Sequence, residues 1–348
     1  MIKKAIPLFF EILFLLLTGY CIFENKLVIY AISQGTGQVS LVWNAEPMDE
    51  ILAEPTFPDS LKQKLNLIRE IKEYAIDSLG IKSSSNYTTV YDQHDKAILL
   101  TVSACDPYAF KAKEWTFPFL GTVSYKGFFD KKEARKEIYR LKQKGYDVSI
   151  YSPSGWSTLG WFKDPILSNM LKNSEGGLTN LIIHELTHGT LYVKDNVNFN
   201  ENLANFIGDK GAEKFLLYKF GKDSKQYTDY EEKKVDEKKY TEYILKSTER
   251  LDSLYSNCLM KRYSEEDMKK EKKLLIREIV VGVTRLPLHK TKNYFNYTSQ
   301  AFAEGNAFFM GFTRYDSQYE VFNKEYVEVY HSDLKMYLGA MKKKYPSL

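Results

Sequence analysis

The chain has 348 residues, 44% of them apolar, enough for a sizeable core in one large or two modest domains. Its 49 basic and 45 acidic residues leave a formal charge of only +4, which gives no case for a nucleic-acid partner. Cys21, Cys105 and Cys258 have no metal-binding spacing, so a thiolate zinc site is excluded; Cys105 and Cys258 read as isolated buried thiols, or as one disulfide in an oxidising compartment.

Lys3 and Lys4 precede an apolar run from Ala5 to Phe23, interrupted by Glu11. This is the pattern of a secretory signal or an uncleaved membrane anchor, with the rest of the chain on the extracytoplasmic side; a buried N-terminal helix is the alternative. Tyr20 before Cys21 favours a signal anchor over a lipid anchor. Gln34-Gly35-Thr36-Gly37-Gln38 lacks the glycine spacing and lysine of a phosphate loop and reads as a helix interrupted or closely approached by other backbone. Met48 to Ala53 predicts a short helix, and Leu61 to Leu79 an amphipathic one.

Tyr87–Tyr91 and Ala97–Ala104 read as a hairpin around residues 92 to 95, where His94 is expected to be an exposed turn residue. Trp115 to Ser124 reads as a further strand. Asp130 to Lys144 predicts an amphipathic helix ended by Gly145, and Tyr146 to Tyr151 a strand. Ser152 to Asp164, rich in Ser, Gly and Trp, is a loop that either shapes a site or packs through Trp156, Trp161 and Phe162.

The strongest chemical signal lies between Leu178 and Gly211. Leu178, Leu181, Ile182, Ile183 and Leu186 support a buried helix carrying His184, Glu185 and His188 in His-Glu-x-x-His spacing. Residues four apart share a helix face, so both imidazoles can reach one Zn²⁺ at about 2.0–2.1 Å. Glu185 projects beside that face, where a carboxylate can act as base toward a metal-activated water without ligating the ion. Lys194-Asp195-Asn196 reads as a turn and Phe199 to Gly208 as a second helix, which makes Glu201 the best candidate for the third ligand. The bland alternative, a core helix with two satisfied histidines, must account for three polar groups among bulky aliphatics.

Beyond this pair of helices, Asp223 to about Glu237 is a solvated connection or helix start. Glu242–Leu259 and Glu265–Val283 read as a helical hairpin, with Ile244, Leu245, Leu251, Leu254 and Tyr255 facing Met268, Leu274, Leu275, Ile279 and Val280; it would serve as scaffold or as a lid. A final amphipathic helix runs through Tyr326, Leu334 and Leu338.

HELTHGTLYV followed by FNENLANFIG resembles the bacterial "putative aminopeptidase" family. Similar strings recur at Gln34–Gln38, at Trp115-x-Phe117-Pro118 with Gly121-x-Val123-x-Tyr125-x-Gly127, and at Ser157–Phe162 with Asp164-Pro165, so the likeness covers about residues 30 to 330. The family resembles the gluzincin class of zinc peptidases. The resemblance implies that Tyr146–Ser152 lines the cleft as a substrate-binding edge. It also implies that a donor from later in the chain stabilises the oxyanion; Tyr315 is the choice because its Asn306-Ala307 context matches, with His289, Tyr319 and Tyr192 behind it. Where many gluzincins place an Asp one turn after the ligand glutamate, this chain has Asn205, with Asp209 a further turn on. It also lacks the amine-binding Gly-x-Met-Glu-Asn string of well-known zinc aminopeptidases.

The expectation is an α/β (α+β) zincin-like metallopeptidase, with a small mixed sheet over the zinc helix and a mainly helical C-terminal half. Residues 1–29 form a signal or anchor and 30–348 the peptidase domain, divided into a mixed part at 30–165 and a helical part with the site at 166–348. Zn²⁺ is the cofactor, held by His184, His188 and Glu201, and a peptide is the substrate, with Glu185 and Tyr315 catalytic. The competing expectation is a membrane-tethered binding or assembly protein with a structural metal, which a closed four-ligand site would support.

Overall fold

The computed structural model describes residues 25–117, 121–153, 155, 163–194, 196–315 and 318–345. The chain opens with helix α1 (Asn25–Trp43), followed by β1 (Glu46–Pro47), α2 (Met48–Ala53) and α3 (Asp59–Leu79). Strands β2 (Thr89–Tyr91), β3 (Leu100–Cys105), β4 (Trp115–Phe117), β5 (Gly121–Val123) and β6 (Tyr125–Phe128) come next. Then follow α4 (Lys131–Gln143), β7 (Asp147–Tyr151) and β8 (Ile166–Leu167), with a 3-10 turn at Ser168–Lys172. The remainder is helical: α5 (Glu175–His188), α6 (Val197–Phe220), α7 (Lys225–Met260), α8 (Glu265–Gly282), α9 (Thr291–Thr298), α10 (Ala301–Glu304), α11 (Asn306–Tyr315), α12 (Tyr319–Glu328) and α13 (Leu334–Lys344).

The mixed α/β class with a helical C-terminal half is as expected, but the strands form three small sheets rather than one. β2 lies between β1, antiparallel, and β8, parallel, with Val90 opposite Ile166. β3 lies between β6 and β7, antiparallel to both, and β4 pairs with β5. The hairpin expected between β2 and β3 is therefore absent. After Tyr91 the chain makes a left-handed turn at His94 and Asp95, and the Asp92 side chain accepts from the His94 N–H. Gln93 is bound through its backbone N–H to Ser168 and through its side chain to the Asn169 N–H, so β2 is tied to the β8 segment instead. The single strand expected over Trp115–Ser124 is two short ones, β4 and β5.

Three larger apolar cores organise the rest, beside a small one of Ala212, Leu216 and Tyr230. The largest surrounds α5 and draws on both halves of the chain, with Leu65, Ile68 and Ile71 of α3, Ile182 and Ile183 of α5, Leu203 and Phe206 of α6, and Tyr337 of α13. The second joins α7 to α8 and α11, as the hairpin pattern predicts, through Ile244, Leu251, Tyr255, Ile279 and Phe309. Leu274, expected inside, is exposed, and the inward position is held by Lys272. The acidic and basic stretch after Asp223 is the first part of α7, capped by Ser224 and carrying Lys225–Asp229 and Lys233–Glu237 pairs at helical spacing. The third core packs α4 and the ring of Tyr30 against β3, β6 and β7. Cys105 and Cys258 are both buried free thiols.

Gln34–Gln38 lies in α1, where a side chain at Gly37 would strike the Phe129 ring. Among the described residues no helix is long and apolar enough to cross a membrane. The run from Ala5 to Phe23 lies outside the described residues.

Candidate metal centre

α5 is short, and its ends are well defined. Ser174 caps it by accepting from the Gly177 N–H at 3.2 Å, and Gly189 follows its last residue, His188. The helix places His184 and His188 one turn apart near its C-terminus. α6 returns alongside after a tight connection, held by the Asn200 side chain, which accepts from the Val193 N–H and donates to the Val193 carbonyl, both at 2.8 Å. That amide, fully buried, copies a strand-pairing unit and fixes the entry of α6 one residue before Glu201.

The two helices run close together. At Gly208 a Cβ would lie 3.0 Å from the Asn180 carbonyl oxygen and 3.2 Å from His184 Cβ, so only glycine allows this approach without displacing the neighbour. The approach brings Glu201, nearly two turns earlier on α6, to the histidines.

The two imidazole Nε2 atoms are 3.2 Å apart. Glu201 Oε2 is 3.6 Å from His184 Nε2, and Oε1 is 3.6 Å from His188 Nε2. In a tetrahedral site with bonds of 2.0–2.1 Å, neighbouring ligand atoms are about 3.3–3.4 Å apart; here one atom from each of the three residues lies within 4.8 Å of the others, and each Glu201 oxygen faces a different histidine, so the group could close on one ion. Among the described residues no fourth His, Cys, Asp or Glu joins this cluster, which leaves the fourth direction to water or substrate.

Electrostatically the cluster lacks a counter-charge. Burial pushes the His184 imidazole down to about 4, a hydrogen bond with Asn205 acting the other way, and burial with the neighbouring His184 pushes His188 down to about 3. Burial raises Glu201 to about 7. Neutral imidazoles with exposed lone pairs are the form in which histidine binds a metal. Asn205 is thus the orienting partner of His184, whereas the buried Nδ1 of His188 has no partner among the described residues. Asp209, a turn further on, accepts instead from Tyr230 and Tyr319.

Glu185 lies beside the triangle. Its carboxyl is raised to about 8, first by burial and then by the charges of Glu201 and Asp164. The loop after β7 reaches it: a Cβ on Gly155 would collide with Glu185 Oε1 and lie 2.8 Å from Cδ. Site shaping by residues 152–164 is therefore visible at Gly155, while Trp156, Trp161 and Phe162 lie outside the described residues. At the far end of the loop, fully buried Asp164 is clasped by Asn86, which donates to Oδ2 at 3.1 Å and accepts from the Asp164 N–H at 3.2 Å. The Asp164 carbonyl accepts from the N–H of Tyr87, which is held in a left-handed backbone conformation at φ 57°. Neither Gly155 nor this clasp carries a local sequence signal, since each acquires its role from a segment far away in the chain.

The remaining candidates separate. Tyr315 is the last residue of α11, and its side chain lies outside the described residues. His289 is turned to buried Asp236, which its Nδ1 meets at 2.8 Å, and the Tyr319 hydroxyl is bound to Asp209. Of the alternatives, Tyr192 is at the site, its ring centroid 6.1 Å from that of His188. β7 is an edge strand beside β3, yet its outer side is partly occupied: the Glu304 carboxylate accepts from the Ser149 hydroxyl and the Ile150 N–H. The free edge is shorter than Tyr146–Ser152.

The sequence model of the family described as "Putative aminopeptidase" matches residues 29–345. The chain belongs to that family. The match runs from within α1 to the end of α13 and takes in His184, Glu185, His188 and Glu201 of this aminopeptidase-family chain. No match was found among curated proteins or among solved structures.

Proposed function

We propose that this chain is a zinc-dependent aminopeptidase that hydrolyses peptide bonds at a centre formed by His184, His188 and Glu201. The observation that carries this reading is the convergence of two Nε2 atoms 3.2 Å apart and the Glu201 carboxylate, whose two oxygens each lie 3.6 Å from one of them, with a basic carboxylate beside the group. Zinc suits two imidazoles and a carboxylate, and when bound it supplies the positive charge that polarises a carbonyl and acidifies water. His184 and His188 present neutral nitrogens, and Asn205 fixes the ring of His184. Glu185 accepts the proton of the attacking water and delivers it to the leaving amine nitrogen; its raised proton affinity suits both halves of that transfer. Gly155 lets the loop backbone close against Glu185 and keeps that carboxylate beside the triangle.

Tyr315 is proposed as the oxyanion donor, from its place in the family pattern. Residues 1–29 are proposed as an export signal or membrane anchor that puts the 30–348 peptidase domain on the extracytoplasmic, periplasmic side. The absence of a fourth protein donor among the described residues favours this reading over a tethered binding protein with a structural metal.

The test combines metal content with turnover of aminoacyl-p-nitroanilides. Glu185→Gln should retain about one zinc per chain and lose about 10²–10⁴ of the rate, while Glu201→Ala should lose metal as well. Equal turnover by wild type and Glu185→Gln removes Glu185 from the mechanism, and full zinc content in Glu201→Ala removes Glu201 from the ligand set.

A further inference from the structure

We propose that the outer face of α4 is a docking surface for anionic lipid headgroups. The helix with its flanking residues, 130 to 144, carries Lys131, Lys132, Arg135, Lys136, Arg140, Lys142 and Lys144 against Asp130, Glu133 and Glu137. All seven basic residues are exposed. Lys136 is paired with Glu133 and Arg140 with Glu137, each at 2.6 Å, while Lys131, Lys132, Arg135, Lys142 and Lys144 make no ion pair among the described residues. Tyr139 projects from the same helix at 68% exposure, an amphipathic ring among cations. A solvated helix face in a chain of nearly balanced charge ordinarily mixes both signs; this one is dominated by one.

The second observation is where the chain enters. Tyr30, near the start of α1, lies in the same apolar core as Ala134, Ile138 and Leu141 of α4. Its ring stacks on Phe117 at 5.4 Å, meets Phe128 edge-on at 5.8 Å, and is covered by the Lys126 ammonium at 4.4 Å. Burial raises the Tyr30 phenol to about 12, with Glu137 of α4 adding to the rise, which places its hydroxyl within electrostatic reach of that helix. The sequence just ahead of α1 is the apolar run from Ala5 to Phe23. The basic face and Tyr30, near the start of the described chain, therefore belong to one layer of the molecule. Seven exposed cations next to a leaflet that contains anionic lipid are held by summed, salt-screened attraction, and the apolar run would bring them to such a surface. The proposal rests on the membrane anchor proposed above and does not depend on the metal centre.

The experiment follows acetylation of individual lysines in the full-length chain mixed with nanodiscs of phosphatidylcholine alone or with one-third phosphatidylglycerol. Lys131, Lys132, Lys136, Lys142 and Lys144 should react at least about threefold more slowly with the anionic discs, and 0.5 M salt should abolish the difference. Lys261, Lys269 and Lys270 on the α7–α8 hairpin should show none. The surface variant K131E/K132E/R135E should lose the protection of Lys142 and Lys144. Equal rates on the two lipids overturn the proposal, as does protection that survives in the variant. Equal protection of these lysines by duplex DNA would point to general polyanion attraction and also overturn it.

Discussion

Two buried polar clusters in this molecule make opposite use of their hydrogen-bonding capacity. In the C-terminal half, Lys272 of α8 reaches the Asp147 carboxylate and the Pro107 carbonyl, the latter at 2.8 Å. The Asn306 N–H also donates to Asp147 at 2.6 Å, its side-chain amide donates to the Asp106 and Pro107 carbonyls, and its oxygen accepts from Tyr255. Charge meets charge and donors meet acceptors. At the His184–His188–Glu201 cluster, two nitrogens face one another and a carboxylate, and among the described residues His188 Nδ1 has no partner and no cationic side chain answers Glu201 and Glu185. The first cluster spends its valences on holding the helical half to β7, whereas the second keeps them for something from outside. Satisfaction, more than burial, separates scaffold from site.

The comparison breaks if the satisfied cluster tolerates loss of a member. Lys272→Met leaves the half-buried Asp147 charge without its cation and should lower stability by about 1.5–3 kcal/mol in urea unfolding. The zinc content of the folded fraction should stay unchanged. Destabilisation below about 1 kcal/mol would mean that water already screens the pair.

Gly155→Ala acts on the other cluster. A methyl group there must displace Glu185, and a shift of about 1 Å in a proton-transferring group costs on the order of 10² in rate. Turnover should fall by that factor with zinc retained. Unchanged kcat would show that the loop gives way instead.

The difference between the clusters also explains which parts were legible beforehand. α5 and α6 announce themselves through the apolar run from Leu178 to Leu186 and the turn read at Lys194-Asp195-Asn196, both local signals, and i, i+4 spacing puts His184 and His188 together on any helix. Glu201 followed from the length of the connection between the helices. Lys272 was hidden because a charged residue inside a helical pattern reads as solvent-facing until Asp147, 125 positions away, is found beside it. The β2–β3 hairpin failed for the same reason, since Gln93 is claimed by Ser168 and Asn169, partners that no window around it contains.

Asn205→Ala should sharpen the contrast more gently. It removes the bond that orients His184 and leaves that histidine, like His188, without a partner. Loss of such a support ordinarily lowers metal affinity by about 10–100-fold, which a competition titration with a chromogenic chelator would read. Asn205→Asp, a stronger acceptor, should preserve or tighten binding. An unchanged affinity in Asn205→Ala would show that helix packing alone orients the ring.

The smallest effect is a pH dependence of the metal-free protein. Glu185 and Glu201 have native proton affinities raised from 4.5 to about 8 and about 7, so between those limits the folded state binds more protons than the unfolded one, and stability falls as pH rises. His184 and His188 are lowered from 6.5 to about 4 and about 3, so there the unfolded state binds more protons, and stability falls as pH drops below 6.5. The two slopes oppose each other between 4.5 and 6.5 and act singly outside that range, so the chelated protein should melt highest near its middle. At pH 8, Glu201→Gln should raise the melting temperature of the metal-free protein by removing a buried charge, and at pH 5, where the native carboxyl is already protonated, it should change little. Zinc binding reverses the first sign, because the ion favours the carboxylate. A variant that is stabilised equally at both pH values would mean that Glu201 carries no unbalanced charge in the folded chain, and the contrast with Asp147 would vanish.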